Sequence, residues 1–175
     1  MNQLSELSPE KVAEMRSFIT TTAYTAGIHS GIAGFYDRYP RIPFGRATNY
    51  TEDNMKKFQL CYPYMRRLNK LFADLVPNRY AHQKAIAEGI DKRFIVAEDT
   101  AFSTITVNKN YRTTAHRDGA NLEGGFSNLS TVTKDGIGWS GGLFVLPEFR
   151  VAINLRPGDA LLVDNANIIH GNTEI

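Results

Sequence analysis

Of the four histidines, His29, His82, His116 and His170, two sit where side chains could share one ion. His116-Arg117-Asp118 directly follows a stretch that reads as a strand, and residues two apart on an extended segment point to the same face. Both side chains could then grip one cation. His170 comes 52 residues after Asp118, behind ALLVD and a short loop, where a neighbouring strand could present it to the same point. Two imidazoles and one carboxylate on one face of an octahedron form the facial triad that holds non-haem Fe(II) and leaves positions open for a cosubstrate and O2. An HxD triplet alone says little, because such triplets arise by chance and a lone strand histidine is ordinarily a hydrogen-bonded core or surface residue. The order of features says more: strand, HxD, several short strands, a Pro-Gly-Asp turn, another strand, then His170-Gly171-Asn172. His29 and His82 have no partner at ligand spacing and read as structural.

The elements that must position these residues change character near residue 100. Ser8 and Pro9 form an N-cap and first helical position, with Val12, Met15, Phe18 and Ile19 on one face of a helix to about residue 20. A second helical region opens at Thr51, with Glu52 and Asp53 in its first turn. It is expected to be interrupted or kinked at Pro63, to resume with Leu68, Leu71, Phe72 and Leu75 on one face, and to close at Pro77. A shorter helix over Arg79 to Glu88 ends at Gly89, expected as a left-handed cap. Between the first two helices, GIHSGIAGFYDRYPRIPFGRATNYT is rich in glycine, proline and aromatics, with Arg38, Arg41 and Arg46 interleaved, and reads as short extended pieces and loops.

From residue 101 the period becomes that of strands: AFSTITV, NLSTVT, GLFVL, VAINL and ALLVD are rich in β-branched and aromatic residues and separated by turn signals. Arg156-Pro157-Gly158-Asp159 is a tight turn between the last two. Helices followed by many short strands predict an α+β fold, mainly β, built as a helix-supported sandwich or barrel. The 175 residues are about one domain's worth.

Composition excludes several classes. Twenty Lys plus Arg against eighteen Asp plus Glu leave a net charge of +2, too little for a tail-driven polyanion binder. The surplus lies in the first hundred residues, 14 basic against 11 acidic, while residues 101–175 carry 6 against 7. The single cysteine, Cys61, forms no intrachain disulfide and no thiolate zinc site. The start MNQLSELSPEK lacks the basic and apolar parts of a signal peptide, and no stretch reaches about 18 uninterrupted apolar residues. A soluble, intracellular protein (cytoplasmic or nuclear) without a membrane partner is expected.

The stretch VNKNYRTTAHRDGANLEGGFSNLSTV, followed by GGLFVLPEFRVAINLRPGDALLVDNANIIHGNTEI, resembles the iron and 2-oxoglutarate dioxygenase domain of the J-binding-protein and TET family. The likeness runs over roughly residues 101 to 175, with a fainter echo in SGIAGFYDRYPRIPFGRATNYT. It implies a double-stranded β-helix (jelly roll) with supporting N-terminal helices, and it carries the Fe(II) ligands onto His116, Asp118 and His170. On this reading residues 1–175 are a single dioxygenase domain, with helical support and a covering segment over 1–100 and the jelly-roll core over 101–175. The resemblance further implies hydroxylation of the 5-methyl group of thymine or 5-methylcytosine in nucleic acid, with 2-oxoglutarate and O2 as cosubstrates. A 2-oxoglutarate hydroxylase of a protein side chain, amino acid or other small molecule, or an inactive metal-binding module, are the alternatives.

In that family an arginine on the strand after the distal histidine pairs with the far carboxylate of 2-oxoglutarate. The sequence given ends five residues past His170, so the core is expected to lack its last strand: either the sequence is a piece of a longer one, or another arginine serves, or the protein does not turn over. Arg112 would share a face with Thr114, His116 and Asp118 on a regular strand, and Arg46 lies in the N-terminal echo. Gly124, Gly125, Phe126 and Asn128 could line a substrate pocket, Phe126 by stacking on a base, or could form a turn and part of the core. Trp139 stands at a hairpin tip, exposed or packed under the loop. Asn172 either orients a ligand or caps a turn, and Arg117 falls on the face opposite the ligands. Lys56, Lys57, Arg66, Arg67 and Lys70 form either a solvated helix face or a phosphate-contacting one.

Overall fold

The computed structural model describes residues 30–38, 42–119, 121–133 and 138–175; the helix expected before residue 20 and His29 lie outside them. The glycine- and aromatic-rich stretch before Thr51 forms two strands. β1 (Ser30–Arg38) and β2 (Ile42–Ala47) run antiparallel with Tyr36 opposite Arg46, and β3 (Thr104–Asn108) lines the other edge of β1, giving the order β2-β1-β3. The alternation in β3 turns Ile105 and Val107 toward the core. Gly34, at φ +108°, comes so close to the Ser103 carbonyl that a Cβ would collide with it. Only glycine meets both conditions, and the approach lets Phe35 N–H reach Ser103 O at 2.7 Å.

Thr48 caps α1 (Asn49–Asp53), its hydroxyl accepting from Thr51 N–H, and the buried Thr51 hydroxyl accepts in turn from Gly34 N–H at 2.8 Å. After α2 (Met55–Gln59) come α3 (Tyr62–Leu75) and α4 (Pro77–Glu88). The interruption expected at Pro63 and the closure expected at Pro77 both occur, and each proline stands in the first turn of the helix that follows, where the missing N–H needs no partner. Because α3 stops at Leu75, that residue is 62% exposed instead of lying on the buried face. Gly89 ends α4 with φ −77°, a right-handed conformation and not the left-handed cap expected.

The core lies between the first sheet and the helices: Ala33 and Phe35 of β1 meet Phe58, Tyr64, Met65 and Leu68, with Val96 and Ala97 closing one side. Phe72, fully buried, stacks on Phe102 and Phe126 and meets Tyr80 edge-on. The later strands are short and form two further antiparallel sheets. β4 (Ser127–Ser130) pairs with β7 (Ala160–Val163), and β5 (Phe144–Leu146) lies between β6 (Val151–Ile153) and β8 (Gly171–Asn172). The five strand-like stretches contribute one strand each, AFSTITV giving β3 of the first sheet and the other four giving β4 to β7. The turn between β6 and β7 closes through Asp159 N–H to Arg156 O at 2.9 Å, with Gly158 at φ +92°. Helices combined with antiparallel sheets make this an α+β architecture, and among the described residues no helix is long and apolar enough to cross a membrane.

Candidate metal centre

The strand expected to lead directly into His116 stops at Asn108, as β3. Asn110 takes φ +48°, a conformation asparagine tolerates and a continuing strand does not. Residues 111–115 are irregular, and Asn172 ties them to β8: its side chain accepts from Thr113 N–H at 2.8 Å and donates to Tyr111 O at 3.0 Å, and its own N–H donates to Thr113 O at 3.4 Å. This segment delivers His116 to His170, where the two exchange backbone hydrogen bonds of 2.9 and 3.0 Å as an isolated antiparallel bridge. Asp118 is fixed by its own N–H, which donates to Asn165 O at 2.9 Å.

The structure thus brings His116, Asp118 and His170 together, with one ligand atom of each within 4.8 Å of the others. Asp118 Oδ1 lies 3.3 Å from His116 Nε2 and 3.7 Å from His170 Nε2. Nδ1 of His116 faces Thr114 O at 2.7 Å and Nδ1 of His170 faces Ile168 O at 3.0 Å. A carbonyl can only accept, so each Nδ1 carries the proton and each Nε2 keeps a lone pair aimed at the shared point. His170 is buried and stacks on Phe144, whereas the His116 side chain is 40% exposed and that of Asp118 35%. Two imidazole nitrogens and one carboxylate, freed for ligation on one side and open to solvent on the other, suit a divalent metal with open positions.

Most other expected site residues have partners of their own. With no strand to impose alternation, Arg112 is exposed and, among the described residues, makes no hydrogen bond or ion pair. Arg46, half-buried on β2, donates to the Tyr36 hydroxyl at 2.9 Å with its guanidinium over that ring, while its Nε is buried without a partner among the described residues. The Phe126 ring lies parallel to Phe72 at 6.2 Å, with Arg79 over it, and Asn128 donates to Leu68 O at 3.2 Å. Both therefore engage the helices, the packing alternative. Trp139 is half-buried under Arg156. Of the basic cluster, Arg66 pairs with Asp99 and Lys70 with Asp74. Two amides that nothing in the sequence singles out reach the centre: Asn121 and Asn165 donate to Asp118 Oδ2 at 3.1 and 3.3 Å.

A helix-backed antiparallel fold carrying two histidines and an aspartate at one point defines the class of mononuclear non-haem metal proteins. Residues 31–175 match the family model for the Tet/JBP oxygenase domain of the 2OGFeDO superfamily, and the chain belongs to that family. The superfamily uses Fe(II), 2-oxoglutarate and O2. The chain is similar to the bifunctional helicase and thymine dioxygenase JBP2 of Trypanosoma cruzi (strain CL Brener), 33% identical over 150 residues covering 83% of this chain. It is also similar to the thymine dioxygenase JBP1 of Crithidia fasciculata, 29% identical over 149 residues covering 83% of this chain. It spans only 13% and 17% of the length of these two relatives. Among solved structures, NgTET1 in complex with 5mC DNA shares the fold with a TM-score of 0.65 at 12% identity, over 96% of this chain and 64% of that one.

Proposed function

We propose that this chain is an Fe(II)- and 2-oxoglutarate-dependent dioxygenase that hydroxylates the 5-methyl group of a pyrimidine base in nucleic acid, on a double-stranded β-helix formed by its later strands. The observation that carries the reading is the triad: within a chain of the oxygenase family, His116, Asp118 and His170 converge with both Nε2 atoms free. Two relatives named thymine dioxygenases and a like-folded protein seen with methylcytosine DNA favour a base as the substrate. We read residues 1–175 as one oxygenase domain.

His116, Asp118 and His170 would hold the metal. When bound, Fe(II) with 2-oxoglutarate and O2 supplies the oxidising power to turn a C–H bond into C–OH. The chain's own part is to bind and orient. The carbonyls of Thr114 and Ile168 keep the imidazoles in the ligating tautomer, and burial of His170 against Phe144 fixes one side of the centre. Of the two arginines expected to serve 2-oxoglutarate, Arg46 has the stronger support, because it is half-buried and held against Tyr36 whereas Arg112 is exposed. The exposed edge at His116 and Asp118 lets a base swung out of a helix reach the centre.

The test is mass spectrometry of nucleosides from DNA containing thymine and 5-methylcytosine, incubated with the protein, Fe(II), ascorbate and 2-oxoglutarate. A hydroxymethyl base that requires 2-oxoglutarate is expected. Decarboxylation of 2-oxoglutarate only with a peptide or small molecule present would refute the nucleic-acid reading.

A further inference from the structure

A metal-ligating carboxylate has two oxygens, and the geometry around Asp118 treats them differently. Oδ1 faces both imidazole Nε2 atoms, at 3.3 and 3.7 Å. Oδ2 accepts instead from two amides, Asn121 Nδ2 at 3.1 Å and Asn165 Nδ2 at 3.3 Å. The two asparagines are not alike. Asn121 is exposed and also donates to the Ser127 hydroxyl, whereas Asn165 is only 6% exposed and grips Asp118 twice, its backbone oxygen accepting from Asp118 N–H at 2.9 Å. Asn165 Oδ1 is buried with no partner among the described residues. An orphaned buried carbonyl is a liability that an apolar residue of the same size would remove. Packing does not explain an amide there; the donor given to Asp118 does.

We infer that Asn165 is a positioning residue that holds the carboxylate of Asp118 so that a single oxygen, Oδ1, is offered to the metal. A carboxylate tied at Oδ2 cannot swing to bind through both oxygens, which keeps one more position of the metal open. Carboxylates that ligate metals are commonly restrained by such hydrogen bonds, and losing one typically lowers metal affinity about 10- to 100-fold. The inference rests on the triad holding the metal.

The full chain, free of metal, is titrated with Co(II), following heat and visible absorption, for the parent, Asn165→Leu, Asn165→Ala and, as a control, His116→Ala. Each Asn165 variant is expected to bind Co(II) about 10- to 100-fold more weakly, with an absorption spectrum altered by the freed carboxylate. The melting temperature of metal-free Asn165→Leu is expected to match or exceed the parent's, since the orphaned carbonyl is gone. Unchanged affinity and spectrum in both variants, or variants that melt well below the parent or fail to fold, would make Asn165 a packing residue and overturn the inference while leaving the triad standing. A parent that binds no Co(II), or a His116→Ala variant that binds as tightly as the parent, would overturn the triad and the inference with it.

Discussion

Asn172 ties the segment before His116 to β8 through its side chain and its own N–H, and replacing it tests whether the side-chain bonds position the centre. Its Oδ1 accepts from Thr113 N–H and from the Thr113 hydroxyl, and its Nδ2 donates to Tyr111 O and Thr173 O. Each such bond contributes about 0.5–1.5 kcal/mol net. The segment is only part-buried, so water recovers some of the loss, and Asn172→Ala is expected to lower the unfolding free energy by about 1–3 kcal/mol. Asn172→Asp keeps the acceptor and loses both donors, so it is expected to fall about halfway between the parent and Ala. Urea denaturation of the metal-free chain measures both. A double-mutant cycle with Thr113→Val isolates the hydroxyl bond, expected at about 0.5–1.5 kcal/mol of coupling. Co(II) affinity should fall along with stability, because the released segment is the one that carries His116. An Ala variant within about 0.5 kcal/mol of the parent, the range of an ordinary surface change, would refute the reasoning.

His116→Ala and Asp118→Ala are expected to abolish metal binding and turnover while leaving circular dichroism unchanged, since both side chains are partly exposed; retained activity in either would sink the triad assignment. Arg46→Ala is expected to raise the 2-oxoglutarate concentration needed for half-maximal turnover, and an unchanged requirement would reduce Arg46 to its packing on Tyr36. Phe72→Ala removes a fully buried ring stacked on Phe102 and Phe126 and is expected to lower stability by about 3–5 kcal/mol in denaturant titration. Burial pushes the Cys61 thiol up to about 12, so the folded protein should resist iodoacetamide at pH 8 and react fully once unfolded; rapid modification of the folded protein would contradict that burial.

The convergence of His116, Asp118 and His170 was legible from the order of features, an HxD, a run of short strands, an Arg-Pro-Gly-Asp turn and a second histidine, together with the family resemblance. The strands were legible because their β-branched runs are bounded by turn residues. What the pattern could not show were choices made by tertiary contact. Pro63 and Pro77 read correctly as breaks, but that each lies inside the first turn of the next helix was not legible, because proline in a first turn and proline after a last turn look alike in one dimension. Arg112 was aligned with the ligands on the assumption of a regular strand, and the single positive φ at Asn110 removes that alternation. Asn165 left no signal at all, since its role depends on a backbone oxygen and an amide meeting Asp118 across a separation of 47 residues.

The same comparison explains why the centre needs several weak restraints. His116 and Asp118 stand outside the regular strands, so no continuous ladder holds their register to His170. Arg117, between them, faces away from the ligands and bonds Asn167 O through Nε at 2.7 Å while pairing with Glu148 at 3.3 Å. Glu148 accepts in turn from Ile169 N–H at 3.3 Å, one residue before His170. An exposed ion pair of this kind contributes only about 0–1 kcal/mol, too little to hold the fold together. Its geometry nonetheless spans the two ligand-bearing segments and the turn between β5 and β6, so what it restrains is their relative position. A reversed pair, Arg117→Glu with Glu148→Arg, therefore separates charge from geometry. It keeps the attraction but loses both main-chain bonds, Arg117 Nε to Asn167 O and Ile169 N–H to Glu148, and metal affinity below the parent's with stability preserved would show that these bonds, more than the ion pair, set the register.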